Sequence, residues 1–198
     1  MFYFKSLFVA IALSLSAFAA PTHEARQACA DVIVIFARGT TEPAPIGILV
    51  GPPLETALTA VLGGRSLSFQ GVDYPASIAG FLEGGDPAGS QTMANDLTSA
   101  VNSCPDAKIV SAGYSQGGQL VHNSAKLISA AVAKRINAVV IFGDPDFPQP
   151  VAQVSSSIVD VDCHVGDDIC AGGDLILEPH LTYGADTPAA AAFIVSKI

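Results

Sequence analysis

Basic residues are scarce in this chain. Its 198 residues include 9 lysines and arginines against 18 aspartates and glutamates, which gives a formal net charge of −9. Nucleic acids and anionic membrane surfaces attract basic proteins, so neither is expected as a partner. Charged residues make up 14% of the chain and apolar residues 50%, a balance that favours a well-buried core over disorder. The length fits one domain.

The apolar run near the N-terminus is too short to span a bilayer. Leu7–Leu15 is apolar apart from one serine, whereas a membrane helix needs about 20 such residues. Lys5 precedes the run, and Ala17-Phe18-Ala19 offers a cleavage signal. The pattern predicts a secretory signal peptide over residues 1–19, cleaved near residues 19–20, and a short pro-segment up to about residue 28 would also fit. Residues 29–198 are then a single catalytic domain of a secreted, extracellular protein.

Cysteine is also rare, with four residues in the whole chain. The spacing of the cysteines and histidines is not that of a zinc site, and we expect no metal and no cofactor. An even number of cysteines in a secreted chain is typical of disulfides, and four allow three pairings. Because Cys163 and Cys170 are close in sequence, we expect the pairs Cys163–Cys170 and Cys29–Cys104.

Strand-like and helix-like patterns alternate along the rest of the chain. Runs typical of buried strands occupy residues 31–36, 67–71, 108–113, 138–142 and 157–161, and helical spacing appears over 51–62, 93–101, 117–131 and 188–198. The alternation predicts an α/β fold, a three-layer sandwich around a mostly parallel sheet of about five strands. Residues 80–90 are rich in glycine and proline and are predicted to form a surface loop.

The strongest motif is the pentapeptide Gly113-Tyr114-Ser115-Gln116-Gly117. It matches the Gly-x-Ser-x-Gly nucleophile elbow, and it stands where that elbow must stand, between a predicted strand and a predicted helix. The elbow is a tight, strained turn, so small residues are needed two positions before and after the serine. Ser115 is therefore the predicted nucleophile.

A nucleophilic serine needs a base and a carboxylate that orients the base. We interpret His122, on the helix after the elbow, as a solvated surface residue, and His164 lies within the small cysteine loop. In this fold the chain order is serine, acid, histidine, which favours His180 as the base.

Seven aspartates compete for the role of acid: Asp144, Asp146, Asp160, Asp162, Asp167, Asp168 and Asp174. Asp144 follows a strand in Phe-Gly-Asp-Pro, where a turn-forming role is expected. The loop after the last strand is where the fold places its acid, and a disulfide would hold that loop still. The residues alone leave Asp167 and Asp168 nearly equal.

The oxyanion hole needs N–H donors that point at the developing negative charge. One is expected from Gln116, directly after the nucleophile, and the other from the loop after the first strand, residues 37–43. Thr40 in that loop can add a hydroxyl donor.

Taken together, these segments resemble the cutinase family, which includes the related acetylxylan esterases. The matching stretches are residues 36–43, 113–117, 163–170 and 179–183, in the family's order, and the chain is most similar to secreted fungal cutinases. The resemblance implies a lidless α/β-hydrolase. It also implies a triad of Ser115, Asp167 and His180, an oxyanion hole of Thr40 and Gln116, and the disulfides Cys29–Cys104 and Cys163–Cys170. The family usually has serine where this chain has Thr40.

Two stretches depart from the best-known cutinases toward acetylxylan esterases, namely residues 72–75 and 144–147. They leave the natural ester open, and we favour cutin. The predicted function is a secreted serine esterase that acts through an acyl-enzyme on cutin polyester and short-chain acyl esters. The alternatives are an acetylxylan esterase of the same family and, from another class, a non-catalytic secreted binding or elicitor protein.

The substrate site is predicted to be apolar and open. Tyr114 is an expected contact, and the expected walls are Phe81 and Leu82 on one side and Leu175, Ile176, Leu177 and Leu181 on the other. Only residues 143–156 separate the last two predicted strands, too few for a folded lid, so we expect Ser115 to be open to solvent and reachable by a polymer. The protein is expected to act as a monomer.

Overall fold

Five parallel strands form one sheet in this computed structural model, which describes Met1 and residues 29–198. The strands are β1 (Val32–Ala37), β2 (Leu67–Gly71), β3 (Lys108–Tyr114), β4 (Ile136–Phe142) and β5 (Val159–Asp162). Their order in the sheet is β2-β1-β3-β4-β5, and each neighbouring pair is parallel. The predicted signal peptide lies outside the described residues and stays a prediction.

Residues 29–198 form six helices, and the four longest of these pack on the two faces of the sheet. The six are α1 (Gly51–Val61), α2 (Ile78–Leu82), α3 (Pro87–Ser103), α4 (Gln116–Leu127), α5 (Ala130–Ala133) and α6 (Thr187–Lys197), and short 3-10 turns span Ser156–Ile158, Glu178–Leu181 and Tyr183–Ala185. No helix of the described residues combines the length and the apolar character that crossing a membrane requires.

The three central strands β1, β3 and β4 supply side chains to two separate cores, because successive strand residues point to opposite faces. In β1, Ile33 and Ile35 pack on the side of α3 and α4, whereas Val34 and Phe36 pack on the side of α1 and α6. The predicted three-layer α/β sandwich is thereby confirmed.

Residues 80–90 differ from the predicted surface loop. They hold the end of α2 and the start of α3, with the turn between them at Gly84 and Gly85. The side chain of Ser77 accepts a hydrogen bond from Gly80 N and caps α2, while that of Asp86 accepts one from Gly89 N and caps α3. Such caps satisfy N–H groups that a helix leaves unpaired at its start, which is why glycine-rich sequence still supports two helix starts here.

Both predicted disulfides are present. Cys29–Cys104 joins the chain before β1 to the end of α3, with 5.6 Å between the Cα atoms. Cys163–Cys170 closes the loop that follows β5, with 5.9 Å between the Cα atoms. The carboxyl ends of β1, β3, β4 and β5 lie at one edge of the sheet, where the loops of parallel α/β folds form their sites.

Candidate active site

Ser115 lies in a strained turn between β3 and α4. Its backbone has φ 56° and ψ −124°, a region that residues other than glycine rarely occupy. The neighbouring glycines make this turn sterically feasible. A Cβ on Gly113 would collide with the carbonyl of Gly117, and a Cβ on Gly117 would collide with the carbonyl of Ala37.

The structure brings together the three residues predicted as a triad. His180 Nε2 lies 2.9 Å from Ser115 Oγ, and His180 Nδ1 lies 2.9 Å from Asp167 Oδ2. The exposed fractions of Ser115, His180 and Asp167 are 3%, 1% and 3%. Because Nδ1 faces a carboxylate, it carries the proton, and Nε2 is left to accept the serine proton.

Asp167 and Asp168, which the residues alone could not separate, occupy different environments. Asp167 Oδ2 accepts hydrogen bonds from His180 and from the Tyr183 hydroxyl, the latter at 2.6 Å. Burial by itself raises the pKa of Asp167, but the hydrogen bonds from Tyr183 and His180 outweigh it and hold the pKa below its usual value. Asp168 instead accepts a hydrogen bond from Leu175 N at 2.9 Å and supports the following loop.

The imidazole of His180 is also held from its other sides. The Tyr114 hydroxyl donates to the His180 carbonyl at 2.8 Å, and the Tyr114 ring stacks on the imidazole with centroids 5.2 Å apart. Gly143 has φ 58°, and a Cβ there would press against the rings of His180 and Tyr183. Sequence reasoning assigned no role to Tyr183 or Gly143. The signal for Tyr183 was its place in the stretch 179–183.

The two predicted oxyanion residues contact each other. Gln116 Nε2 donates to Thr40 Oγ1 at 3.1 Å and to the carbonyl of Ser77 at 2.6 Å. Because Thr40 Oγ1 is the acceptor in that bond, its own hydroxyl proton remains to be donated elsewhere. Glu42, another residue without a predicted role, braces this loop: its carboxylate accepts hydrogen bonds from Gly39 N, Ile48 N and Leu49 N at 2.8, 2.9 and 2.9 Å.

A groove of about 490 Å³ lies over Ser115. Phe81, Tyr114, Ile176 and Leu181 line it as predicted, but Leu82, Leu175 and Leu177 do not. Leu82 is 66% exposed and borders an adjoining depression. Neighbouring residues of a helix point about 100° apart, and this turns Leu82 away from the groove toward the adjoining depression.

Ser115 is less exposed than the sequence predicts. The residue is 3% exposed instead of open to solvent, because its backbone is enclosed between β3 and α4 and its hydroxyl bonds to His180. It is reached through the groove that it helps to line. Between Phe142 and the 3-10 turn at Ser156–Ile158 the described chain forms turns and bends without a helix or strand, in agreement with the absence of a folded lid.

His122 is buried, so the prediction of a solvated surface residue is wrong. It is 2% exposed, and its Nε2 lies 2.9 Å from the carboxylate of the fully buried Asp144. The segment after β4 covers this face of α4, which helical spacing alone could not reveal. Asp144 also accepts a hydrogen bond from Asp146 N at 2.9 Å, the turn-forming contact that the sequence predicts.

His122, Asp144 and Asp146 have possible metal-ligand atoms within 4.8 Å of one another. His122 and Asp144 already satisfy each other through their hydrogen bond, however. We therefore assign the pair to holding the segment after β4 against α4.

Comparisons with known proteins agree with this geometry. The model of the cutinase family matches residues 28–198. Over 192 residues, the chain is 59% identical to a cutinase of Botryotinia fuckeliana. The alignment covers 96% of this chain and 95% of that protein. It is 49% identical to a Trichoderma reesei cutinase solved with a C11Y4 phosphonate inhibitor, with a TM-score of 0.82 over 85% of this chain and 76% of that one.

A second solved structure shares the fold at lower identity. It is the catalytic core domain of an acetyl xylan esterase from Trichoderma reesei, 24% identical, with a TM-score of 0.67 over 86% of this chain and all of that one. The α/β-hydrolase fold is thus common to both kinds of esterase. Because the family model spans the described domain and a cutinase is more than half identical to it, this chain belongs to the cutinase family.

Proposed function

We propose that this chain is a secreted serine esterase that hydrolyses cutin polyester and short-chain acyl esters. Membership in the family confirms the predicted class, a carboxylic ester hydrolase. One observation carries the assignment of roles: a continuous set of hydrogen bonds runs from Asp167 through His180 to Ser115 beneath an apolar groove.

In the proposed reaction, His180 takes the proton of Ser115 as Oγ attacks the ester carbonyl. Asp167 holds the Nδ1 proton and stabilises the imidazolium that forms. His180 then gives the proton to the leaving alcohol, which departs and leaves the acyl group on Ser115. Water attacks this acyl-enzyme with His180 again as the base, and the free acid leaves.

The negative charge that develops on the carbonyl oxygen needs donors already in place. We assign this role to the backbone N–H of Gln116 and to Thr40. The bond from Gln116 Nε2 to Thr40 Oγ1 leaves the threonine proton to point at the oxyanion. Glu42 holds the surrounding loop still through its three backbone hydrogen bonds.

The groove suits an acyl chain of modest length. Its walls include Phe81, Ile176 and Leu181, and Asp174 lies among the lining residues. A negative charge there disfavours anionic esters and suits hydroxylated polymers. Each CH₂ of an acyl chain contributes at most about 0.8 kcal/mol, and only where it is buried. We therefore expect a preference for acyl chains of about four carbons.

Acetylated xylan is the second candidate substrate. The resemblance of residues 72–75 and 144–147 to acetylxylan esterases favours it. A non-catalytic binding protein is less consistent with the chain, because the nucleophile, base, acid and both oxyanion positions all hold competent residues. Secretion and a monomeric state complete the proposal.

The test compares wild-type protein with Ser115→Ala on cutin, acetylxylan and a series of soluble esters of increasing acyl length. Loss of the nucleophile should lower turnover on the order of a million-fold. Release of cutin monomers supports the proposal, and cleavage of acetyl esters alone would assign the chain to the second candidate. Activity retained by Ser115→Ala would show that Ser115 is not the nucleophile. N-terminal sequencing of the secreted protein locates signal cleavage, and size-exclusion chromatography gives the oligomeric state.

A further inference from the structure

A second histidine–aspartate pair lies beside the proposed triad. His164 Nε2 is 2.7 Å from Asp186 Oδ2, and His164 Nδ1 is 2.8 Å from the carbonyl oxygen of Pro179. A carboxylate and a backbone carbonyl accept hydrogen bonds and donate none. A neutral imidazole has a single N–H, so it can satisfy one of the two oxygens but not both. The contacts of His164 therefore fit a doubly protonated imidazolium.

His164 is connected to Asp167 and to His180, the two residues that act with Ser115 in the proposed triad. Its backbone N–H donates to the Tyr183 hydroxyl at 2.8 Å, and that hydroxyl donates to Asp167. Its ring stacks on the Tyr183 ring with centroids 4.0 Å apart and planes 21° apart. Its Nδ1 holds Pro179, the residue directly before His180.

Three acidic or polar groups from different elements face the His164 ring. Asp186 directly precedes α6, Asp162 is the last residue of β5, and the Thr182 hydroxyl lies 3.2 Å from Nδ1. Burial by itself lowers the pKa of His164, but the hydrogen bonds to Pro179 and Asp186 and the nearby carboxylates outweigh it and raise the pKa above its ordinary value of 6.5.

We propose that His164, as an imidazolium, is a positioning residue that holds Tyr183 and Pro179, and through them Asp167 and His180, in the reactive arrangement. Loss of its proton breaks one of its two ring contacts and loosens the triad. The inference rests on the proposed function, since it gives His164 a role beside the proposed catalytic residues.

A purely structural ion pair would behave differently. The His164 and Asp186 side chains are 29% and 34% exposed, and ion pairs of this exposure contribute little to stability. If His164 only supported the fold, its replacement would leave the pH dependence of turnover unchanged. The test therefore measures the charge of His164 directly and then the pH dependence of kcat.

The first experiment records the ¹⁵N chemical shifts of the histidine rings in wild-type protein, with His164 assigned from the spectrum of His164→Gln. We expect the titration midpoint of His164 to lie above 6.5, with both ring nitrogens protonated below that midpoint. A midpoint at or below 6.5 would overturn the inference. This measurement does not depend on activity, so it stays informative even if the ester substrate is wrong.

The second experiment compares the kcat profiles of wild-type protein and His164→Gln on a soluble ester. Glutamine can retain a hydrogen bond to Asp186 but carries no titrating charge. Because small displacements of reacting groups are costly, we expect kcat to fall about tenfold at neutral pH with KM unchanged. Wild-type kcat should decrease as the pH rises through the His164 titration, and the variant should lack that decrease.

Two further variants complete the design. His122→Gln removes the buried histidine–aspartate pair between α4 and the segment after β4, and should keep the wild-type kcat profile even if stability falls. Asp186→Asn leaves the cysteine loop untouched and should shift the alkaline decrease to lower pH. This variant decides the question if His164→Gln does not fold. An unchanged profile in Asp186→Asn, or in folded His164→Gln, contradicts the proposed role.

Discussion

Asp167 shows how a buried carboxylate stays ionised in this site. Its two oxygens accept three hydrogen bonds, from Ile169 N, His180 Nδ1 and the Tyr183 hydroxyl. Hydrogen bonds donated to a carboxylate favour its charged form, and here they outweigh the opposing effect of burial. The stability that Asp167 contributes is therefore present above its ordinary pKa and lost as the pH falls through its lowered value.

Asp167 and Asp168 are adjacent in the chain, so their asparagine variants serve as a test and its matched control. Asp167→Asn should lower kcat on the order of 10⁴-fold, because the asparagine no longer orients the imidazole. Asp168→Asn should keep most of the activity, since Asp168 bonds to Leu175 N and does not reach His180. The measurement is steady-state turnover of a soluble ester by both variants, with folding checked by circular dichroism. The opposite ranking would show that the acid is Asp168.

The two disulfides support different elements, so their loss should have different consequences. Cys163–Cys170 encloses the loop that carries Asp167, with a sequence separation of 7, whereas Cys29–Cys104 spans 75 residues far from the groove. Loop entropy predicts a loss of about 2–3 kcal/mol for the short loop and about 4–5 kcal/mol for the long one.

We therefore expect opposite results when the two cysteines of each disulfide are replaced by serine, one disulfide at a time. Removal of Cys163–Cys170 should reduce turnover strongly with the smaller loss of stability, and removal of Cys29–Cys104 should reduce stability more while the folded fraction keeps its turnover. Urea unfolding and active-site titration of the same samples measure the two effects. Equal turnover per folded molecule in both variants would argue against a role of the short loop in holding the acid.

The helix α2 offers a second contrast, between neighbouring residues. Phe81 lines the groove and Leu82 borders the adjoining depression. Phe81→Ala should lower kcat/KM for a four-carbon acyl ester five- to tenfold, on the order expected for losing part of an apolar contact. Leu82→Ala should remain within about twofold of wild type. A larger effect at Leu82 would mean that substrate binds outside the groove.

At the scale of the whole molecule, Asp162 and Asp167 change the pH dependence of folding stability in opposite directions. Burial, together with Asp160 and Asp186, raises the pKa of Asp162 to about 6. A carboxyl whose pKa is raised on folding favours the folded state at low pH, and this contribution is lost as the pH rises from its ordinary value through about 6. One oxygen of Asp162 is also buried without a hydrogen-bond partner among the described residues.

Asp162→Asn should therefore stabilise the protein at pH 7.5 and leave its stability at pH 4 nearly unchanged. Because the carboxyl is partly exposed, we expect a gain of only about 1 kcal/mol in the free energy of unfolding. Denaturant unfolding at both pH values tests this, with Asp106→Asn at an exposed position as the control. A loss of stability at pH 7.5 would contradict the argument.

Local patterns in the sequence were sufficient for the framework of this protein. The strand runs, the helical spacing and the Gly-x-Ser-x-Gly turn depend on periodicity and on sterics within a few residues, so they predicted the α/β sandwich and the position of Ser115. The closeness of Cys163 and Cys170 in the chain pointed to their pairing. The caps at Ser77 and Asp86 were also local signals, but the surrounding glycines and prolines concealed the helix starts that they mark.

The tertiary structure alone decided burial and orientation. The sequence predicted a solvated His122, but the segment after β4 covers it. The sequence also predicted both Phe81 and Leu82 on the groove wall, but the direction of α2 places only Phe81 there. The spacing of residues in the sequence predicts neither the hydrogen bond from Tyr183 to Asp167 nor the one between His164 and Pro179. These features depend on contacts between segments far apart in the chain, and such contacts exist only after the strands and helices have packed.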